Sequence, residues 1–406
     1  TSGEDGVFGM IAEVMPGYKQ TEVGVIPADW KIHQLVEISS SIASGRSKVD
    51  TEFGQFPVFG STGVIGYTNT PSHTGESILV ARVGANAGFL NSADGRYGVT
   101  DNTIAIRLKP GSDHIYCLLQ LKRYGLGRLI FGSGQPLITG TQLKGIPIPT
   151  PAPEEQVKIV SALSEIDALI RTLDQLIAKK RDIQQAAMQQ LLTGQRRLPG
   201  FSGEWEVKRL GDFGQCLRGV SYKGDADLLA YDTDETYRLL RSNNVQQSAI
   251  DVDGLQFVNA RCVSSHQVLK HKDILICMAN GSKDLVGKAG LFKVSDGHRY
   301  TFGAFMGCFR MRASAEPDFI FALFGTNKYK NYIANLLAGS SINNLRPRDI
   351  EQMEFRFPPK DEQAGIASLL SDMDSELAAL EARRNKACQL KQGMMQELLT
   401  GRIRLV

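Results

Sequence analysis

The sequence has no apolar run long enough to cross a membrane. Its longest, such as Ser77 to Ala81 and Asp273 to Met278, are strand-sized, against the roughly 18 to 20 residues a span needs. The opening TSGEDGVFGMIAEV lacks the basic-then-apolar order of a secretory signal, so none is expected. Cysteine is sparse and unpatterned: residues 117, 216, 262, 277, 308 and 388 form no CxxC pair and no disulfide framework. Reduced thiols in a cytoplasmic protein follow. The six histidines are scattered, and His266 and His271 have no thiol cluster beside them, so no metal site is expected. Charge of either sign is nearly balanced at +3, which neither requires nor excludes nucleic acid. What would decide is whether the positive charge gathers on one face.

Catalytic motifs are equally scarce. Gly281 to Ala289 imitates a phosphate loop but has five residues between its glycines rather than four. Ala289 also stands where a Ser or Thr would reach Mg²⁺. There is no Asn/Asp-Pro-Pro-aromatic site for methylating a base amine, no Gly-x-Ser-x-Gly and no His-Glu-x-x-His. Nothing marks a pair of working carboxylates. None of these motifs marks a catalytic site or a cofactor of the chain's own, though a carboxylate pair on loops is left open.

What the sequence does have is a repeat. The stretch from Pro153 to Leu198 returns 207 positions later without a gap. Glu155-Gln156 falls on Glu362-Gln363, Ile159 on Ile366, Leu163-Ser164 on Leu370-Ser371, and Asp167 on Asp374. MQQLLTG (188–194) falls on MQELLTG (395–401). One unit has been used twice, and the halves are pseudo-equivalent. Each half also opens alike: Pro27 leads to Trp30 and then Leu35, and Pro199 leads to Trp205 and then Leu210. The two tryptophans read as core anchors at a domain edge.

From Glu154 to Leu192 there is no Gly or Pro. Ile159, Leu163, Ile166, Ile170, Leu173 and Ile177 alternate steps of four and three, a heptad seam. The phase shifts near Lys179-Lys180-Arg181 and resumes at Ile183, Ala187 and Leu191. The second copy carries Ile366, Leu370, Met373, Leu377, Leu380, Ala387 and Leu398. A lone apolar seam needs a partner, and the other copy, run antiparallel, is the obvious one. Pro153 and Glu154-Glu155 suit a helix start and Gly194 a stop.

The segments between are β-rich and punctuated by glycine. Strands are expected at Phe56 to Phe59, Ser77 to Ala81, Thr103 to Leu108, Tyr237 to Leu240, Asp273 to Met278, Gly290 to Val294 and Thr301 to Met311. Helices are expected at Ile115 to Gly125 and at Asp318 to Leu336. Ends that match and middles that differ imply one fold with two sets of loops, and therefore two ligands. The layout is an α/β (α+β) chain of two pseudo-repeated β-rich domains and two long coiled-coil helices. Its segments are an N-terminal segment (1–29), a first domain (30–150), a central spacer helix (151–198), a second domain (199–357) and a C-terminal spacer helix (358–406).

Taken together, YKQTEVGVIPADW (18–30), the helix starts PAPEEQ and FPPKDEQ, the helix ends QQLLTG and QELLTG, and the duplicated layout resemble the specificity subunit of a Type I DNA restriction–modification system. The resemblance covers nearly the whole chain from Tyr18. It implies two target-recognition domains, each reading one half of a split, asymmetric site in double-stranded DNA. It also implies two antiparallel helices serving as ruler and as docking surface for two methyltransferase (modification) subunits. Those partners would bring S-adenosylmethionine for adenine N6 methylation. Restriction subunits would bring ATP and Mg²⁺. A rod of roughly 60 Å is a little under two turns of duplex.

Base reading needs forked or amide side chains, and phosphate holding needs cations, hydroxyls and backbone N–H groups. The richest loops of the first domain offer Ser61, Thr62 and Gly63, then Tyr67, then Arg82 with Asn86, then Ser133 and Gln135. Those of the second offer Arg241, Asn243 and Asn244, then Asn280, Ser282 and Lys283, then Ser340 and Asn343. Arg82 and Arg241 are the preferred base readers, although each cluster also suits an ordinary polar turn. Two other functions fit the residues: a single-chain pseudo-dimeric DNA-binding regulator without enzyme partners, and a coiled-coil adaptor whose β-rich domains bind proteins. Salt-dependent duplex binding separates the first two from the adaptor.

Overall fold

The computed structural model describes residues 15–49, 53–130, 136–246, 248–339 and 343–406. The chain forms two compact units. One comprises residues 1–175 with 382–406, and the other is the contiguous stretch 176–381. The repeated segments are two helices of 39 residues each, Pro153–Leu191 and Lys360–Leu398. Both begin with a pair of acidic residues, Glu154-Glu155 and Asp361-Glu362, which complement the positive helix end. Each is one continuous helix that contributes to both units.

The first unit has a four-stranded antiparallel sheet in the order Ser39–Ser44, Thr103–Leu108, Ser77–Ala81, Leu90–Ala93. Its second sheet runs Gly63–Thr68, Phe56–Gly60, Arg96–Val99, His73–Thr74, and its one parallel pair is Phe56–Gly60 with Arg96–Val99. Helix His114–Tyr124 is capped by Asp113, which accepts from the Tyr116 N–H, and ends at left-handed Gly125. It packs Cys117, Leu118 and Leu121 onto Ile78, Val80, Ile104 and Ile106. Side chains of that size each contribute roughly 1.5–3 kcal/mol when fully buried. The segment before Trp30 forms a hairpin, Tyr18–Thr21 with Gly24–Pro27.

The second unit repeats the order of the first of these sheets but not of the second, whose parallel pair is central in one unit and at the edge in the other. Gly214–Arg218, Met306–Met311, Ile274–Cys277 and Ala289–Leu291 form one sheet. Leu228–Leu229, Gln256–Asn259, Thr236–Leu240 and Tyr300–Phe302 form the other. The parallel pair is again present, between Thr236–Leu240 and Tyr300–Phe302. In each unit a two-stranded ribbon joins entrance and exit: Lys31–Gln34 with Pro147–Thr150, and Glu206–Arg209 with Glu354–Phe357.

Most of the heptad seam is buried. Ile159, Leu163, Ile166, Leu173 and Ile177 of the first helix are covered, as are Ile366, Leu370, Leu377, Ala387 and Leu398 of the second. Within the first unit Asp167 pairs with Lys391 and Asp174 with Arg384. Within the second Lys180 pairs with Glu376, and Gln184 donates to Asp374. Partner numbers fall as the first helix advances, so the helices run antiparallel in both units. Such exposed pairs fix register more than they stabilise, at about 0–1 kcal/mol each.

Four expectations require correction. Ile183 is 44% exposed, so the apolar seam does not resume there; its neighbour Gln184 is half-buried and donates to the exposed Asp374. Asp318 to Leu336 is two helices, Pro317–Leu323 and Asn327–Ala338. A Cβ on Gly325 would lie 2.7 Å from Met188 Cε, and Thr326 restarts the helix by accepting from Tyr329 N–H. Thr301 to Met311 is two strands interrupted at 303–305. Strand Ala289–Leu291 ends before the expected Val294.

Candidate nucleic-acid interface

The tryptophans explain how each unit is closed. Trp30 is buried, and its indole N–H donates to Glu155 Oε2 at 3.1 Å. Arg404 donates to both oxygens of Glu155, at 2.7 and 2.9 Å, and to both of Asp29. In the second unit Trp205 donates to Glu362 Oε2 at 3.2 Å, and Arg197 donates to both oxygens of Glu362. Its remaining donors hold the Ser202 and Gly203 carbonyls. Glu155 with Glu362 and Arg197 with Arg404 are the 207-residue repeat. Each tryptophan therefore packs on the start of one long helix and is locked by an arginine following the end of the other. The stop glycines complete the lock. Gly194 and Gly401 are left-handed, at φ +73° and +70°, and lie against Trp205 and Trp30 respectively.

With the frame fixed, the loops of each unit converge. In the first, the Phe56–Gly60 and Gly63–Thr68 hairpin turns through Ser61-Thr62, and Gly63 sits at φ +100°. Thr100 N–H donates to the Phe59 carbonyl, and Arg82 N–H to the Asn102 carbonyl. Gly84 and Ile138 bond Pro136 and Arg82, which brings in the segment after 135. Ser61, Thr62, Arg82 and Asn86 thus belong to one edge. Arg82 Nε, Thr100 Oγ1 and Thr103 Oγ1 there are buried without a partner among the described residues. Such groups cost free energy unless a ligand completes them. Tyr67 stands apart, across from Pro57 and away from the hairpin tip. Asn102 is exposed on this edge, in the Val99-Thr100-Asp101-Asn102 stretch that also resembles the specificity-subunit family, although it was not singled out as a site residue.

The second unit builds the same edge with other residues. Gly303 N–H donates to the Leu240 carbonyl, Met278 and Ala279 N–H to that of Phe305, and Gly219 N–H to that of Met306. Arg241, Asn280 and Asn343 meet here. Asn280 Nδ2 reaches Ser242 Oγ at 3.3 Å, and Asn343 Nδ2 donates to the Gly281 carbonyl. Arg241 Nε is buried without a partner among the described residues. Ser282 donates its N–H to Asn280, Asn243 is exposed, and Lys283 extends into solvent. Asn244 must be withdrawn as a base reader. It is 1% exposed, its Oδ1 accepts from Arg241 N–H, and its Nδ2 donates to the Asp251 and Asp253 carbonyls. Its amide shapes the loop that presents Arg241. Ser133, Gln135 and Ser340 lie outside the described residues.

Among the described residues no His, Cys, Asp and Glu side chains cluster as a metal site, and no helix is long and apolar enough to cross a membrane. All six cysteines are free thiols.

Residues 27–179 and 202–389 match the family described as the Type I restriction modification DNA specificity domain. The chain belongs to this family. The Type I restriction enzyme EcoKI specificity subunit of Escherichia coli (strain K12) is 30% identical over 204 residues. That is 49% of this chain and 42% of the relative. The StySPI specificity subunit of Salmonella potsdam is 29% identical over 199 residues, again 49% and 42%. The match thus spans under half the length of these two relatives. The crystal structure of the S subunit of the Type I restriction–modification system from M. genitalium superimposes with a TM-score of 0.60 at 16% identity, over 91% of this chain and 96% of that one. At that identity it speaks for the fold alone.

Proposed function

We propose that this chain is the sequence-reading subunit of a Type I restriction–modification complex. It binds double-stranded DNA at a split, asymmetric site, one half-site per recognition domain, and leaves the chemistry to other chains. What supports this reading is the pair of edges just described: one sheet of the same strand order in each unit, the same closing frame, and unlike residues at equivalent loop positions. Partnerless arginine nitrogens at both edges suit guanine or phosphate oxygens. The domains are taken as 30–150 and 199–357, with helical spacers 151–198 and 358–406 after an N-terminal segment 1–29. The length of the helices sets the spacing of the half-sites.

Two methyltransferase subunits dock on the long helices in this reading. Ile183 and Leu390, 207 positions apart, are 44% and 56% exposed, so each unit offers the same bare apolar position. S-adenosylmethionine is held by those partners, ATP and Mg²⁺ by restriction subunits, and the assembly works in the cytoplasm.

The test is binding of duplex DNA across a salt series, with co-purification of a methyltransferase. Affinity should fall steeply with salt. Arg241→Ala should weaken methylation at one half-site and leave assembly intact. Salt-independent binding, or none, would sink the reading. DNA binding without a methyltransferase partner would favour the stand-alone regulator.

A further inference from the structure

A large aromatic stands bare at the second reading edge. Phe305 is 71% exposed, although it lies between two strands whose other members, Tyr300–Phe302 and Met306–Cys308, are buried. Its backbone is firmly held. Its carbonyl accepts from Met278 N–H at 2.9 Å and Ala279 N–H at 3.1 Å, and Met306 N–H closes the turn onto the Gly303 carbonyl at 2.8 Å. The ring is therefore presented on a rigid tip, and water covers most of it.

Its surroundings are those of a nucleic-acid contact. Gly303 is bonded to Leu240, immediately before Arg241. A cavity of about 220 Å³ beside the ring is walled by Leu217, Met278 and Pro347, with Arg218 and Asn344 also facing it. An apolar wall with cationic and amide groups around an aromatic face is what a stacked base requires. The first edge offers a direct comparison. There Arg82 N–H bonds the Asn102 carbonyl as Met278 N–H bonds that of Phe305, so Asn102 holds the equivalent position. One domain places an amide where the other places a ring.

We propose that Phe305 stacks on, or wedges into, a base step of the half-site read by the second domain, whereas Asn102 makes a hydrogen-bonding contact at the matching step of the other half-site. This rests on the DNA-reading function proposed above. The second half-site is then recognised partly through the ease of unstacking one step. The first half-site is read without such a distortion.

The experiment uses the full chain and a randomised duplex library, and compares the wild type with Phe305→Ala and Phe305→Trp. The wild type should select a two-part motif. Phe305→Ala should keep the first part, lose preference at one or two adjacent base pairs of the second, and bind the wild-type motif about 10-fold more weakly. Phe305→Trp should retain both parts. With 2-aminopurine placed in turn along the second half-site, fluorescence should rise at one step with the wild type and not with Phe305→Ala. An unchanged motif and affinity for Phe305→Ala would overturn the proposal, as would loss of methyltransferase co-purification with DNA selection intact. A wild-type chain that selects no motif would overturn the DNA-reading function itself. Because that result appears before any substitution is made, the two failures are distinct.

Discussion

Replacing Arg404 with methionine tests the lock on the first unit. Glu155 is 3% exposed and accepts three hydrogen bonds, two from Arg404 and one from the Trp30 indole. Arg404→Met leaves a buried carboxylate with a single neutral donor. Removing one member of a buried pair costs roughly 3–5 kcal/mol. The lost contact to Asp29, whose side chain is 66% exposed, adds no more than about 1 kcal/mol. A folded chain has only about 5–15 kcal/mol in total. Adding Glu155→Gln removes the stranded charge while its amide oxygen still accepts from Trp30. The double variant should recover at least about 2 kcal/mol over Arg404→Met alone. Urea unfolding measures this with Trp205→Phe as the common background, because the chain has only two tryptophans and Trp30 then reports its own unit. A cost below about 1 kcal/mol for Arg404→Met, or strict additivity in the cycle, would refute the reasoning.

Three further outcomes follow from the same structure. A Cβ on Gly401 would lie 2.5 Å from Pro27, whereas one on Gly194 would meet Trp205 at 3.3 Å. Gly401→Ala should therefore cost about 2–5 kcal/mol, the left-handed strain plus overpacking, and Gly194→Ala about 1–2 kcal/mol, as denaturation midpoints will show. Burial holds the His114 imidazole below its ordinary pKa, and nearby carboxylates only partly oppose this. The unfolded chain then binds a proton near pH 6.5 that the folded chain refuses, so stability falls as pH drops below about 6.5. His114→Gln should flatten that part of the stability–pH curve. Burial also pushes the Cys117 and Cys216 thiols up to about 12. Both should resist alkylation in the native chain while the half-buried Cys262 and Cys388 react, as peptide mass mapping will resolve.

Strands Ser77–Ala81 and Thr103–Leu108 were legible in the sequence because unbroken β-branched and apolar runs end at turn residues. The long helices were legible because a seam of that length has no other use. The break at Gly325 was not: Gly325 packs against Met188, 137 positions earlier in the chain, and Thr326 caps a new helix there. Ile183 was misread because a heptad pattern cannot fix its own phase after the shift near Lys179-Lys180-Arg181, and there Ile183 is exposed while Gln184 is half-buried. For the site, the loops were visible and the roles within them were not. Asn244 and Asn243 are equivalent as letters, yet only Asn244 meets the carbonyls of 251 and 253. Phe305 was hidden inside an apolar run, and its exposure follows from the break between the strands at 303–305, which the run of letters does not show.

The crossed lock also bears on the order in which the chain can fold as it is made. The second unit is one contiguous stretch, 176–381, so all of its parts are present once residue 381 has been synthesised. The first unit needs residues 382–406 as well, and Arg404 reaches back 375 positions to Asp29. Its strands emerge first but are sealed last. Until then Trp30 and the apolar face of the early helix await their partners, the interval in which a nascent chain is most open to aggregation or to capture by a chaperone.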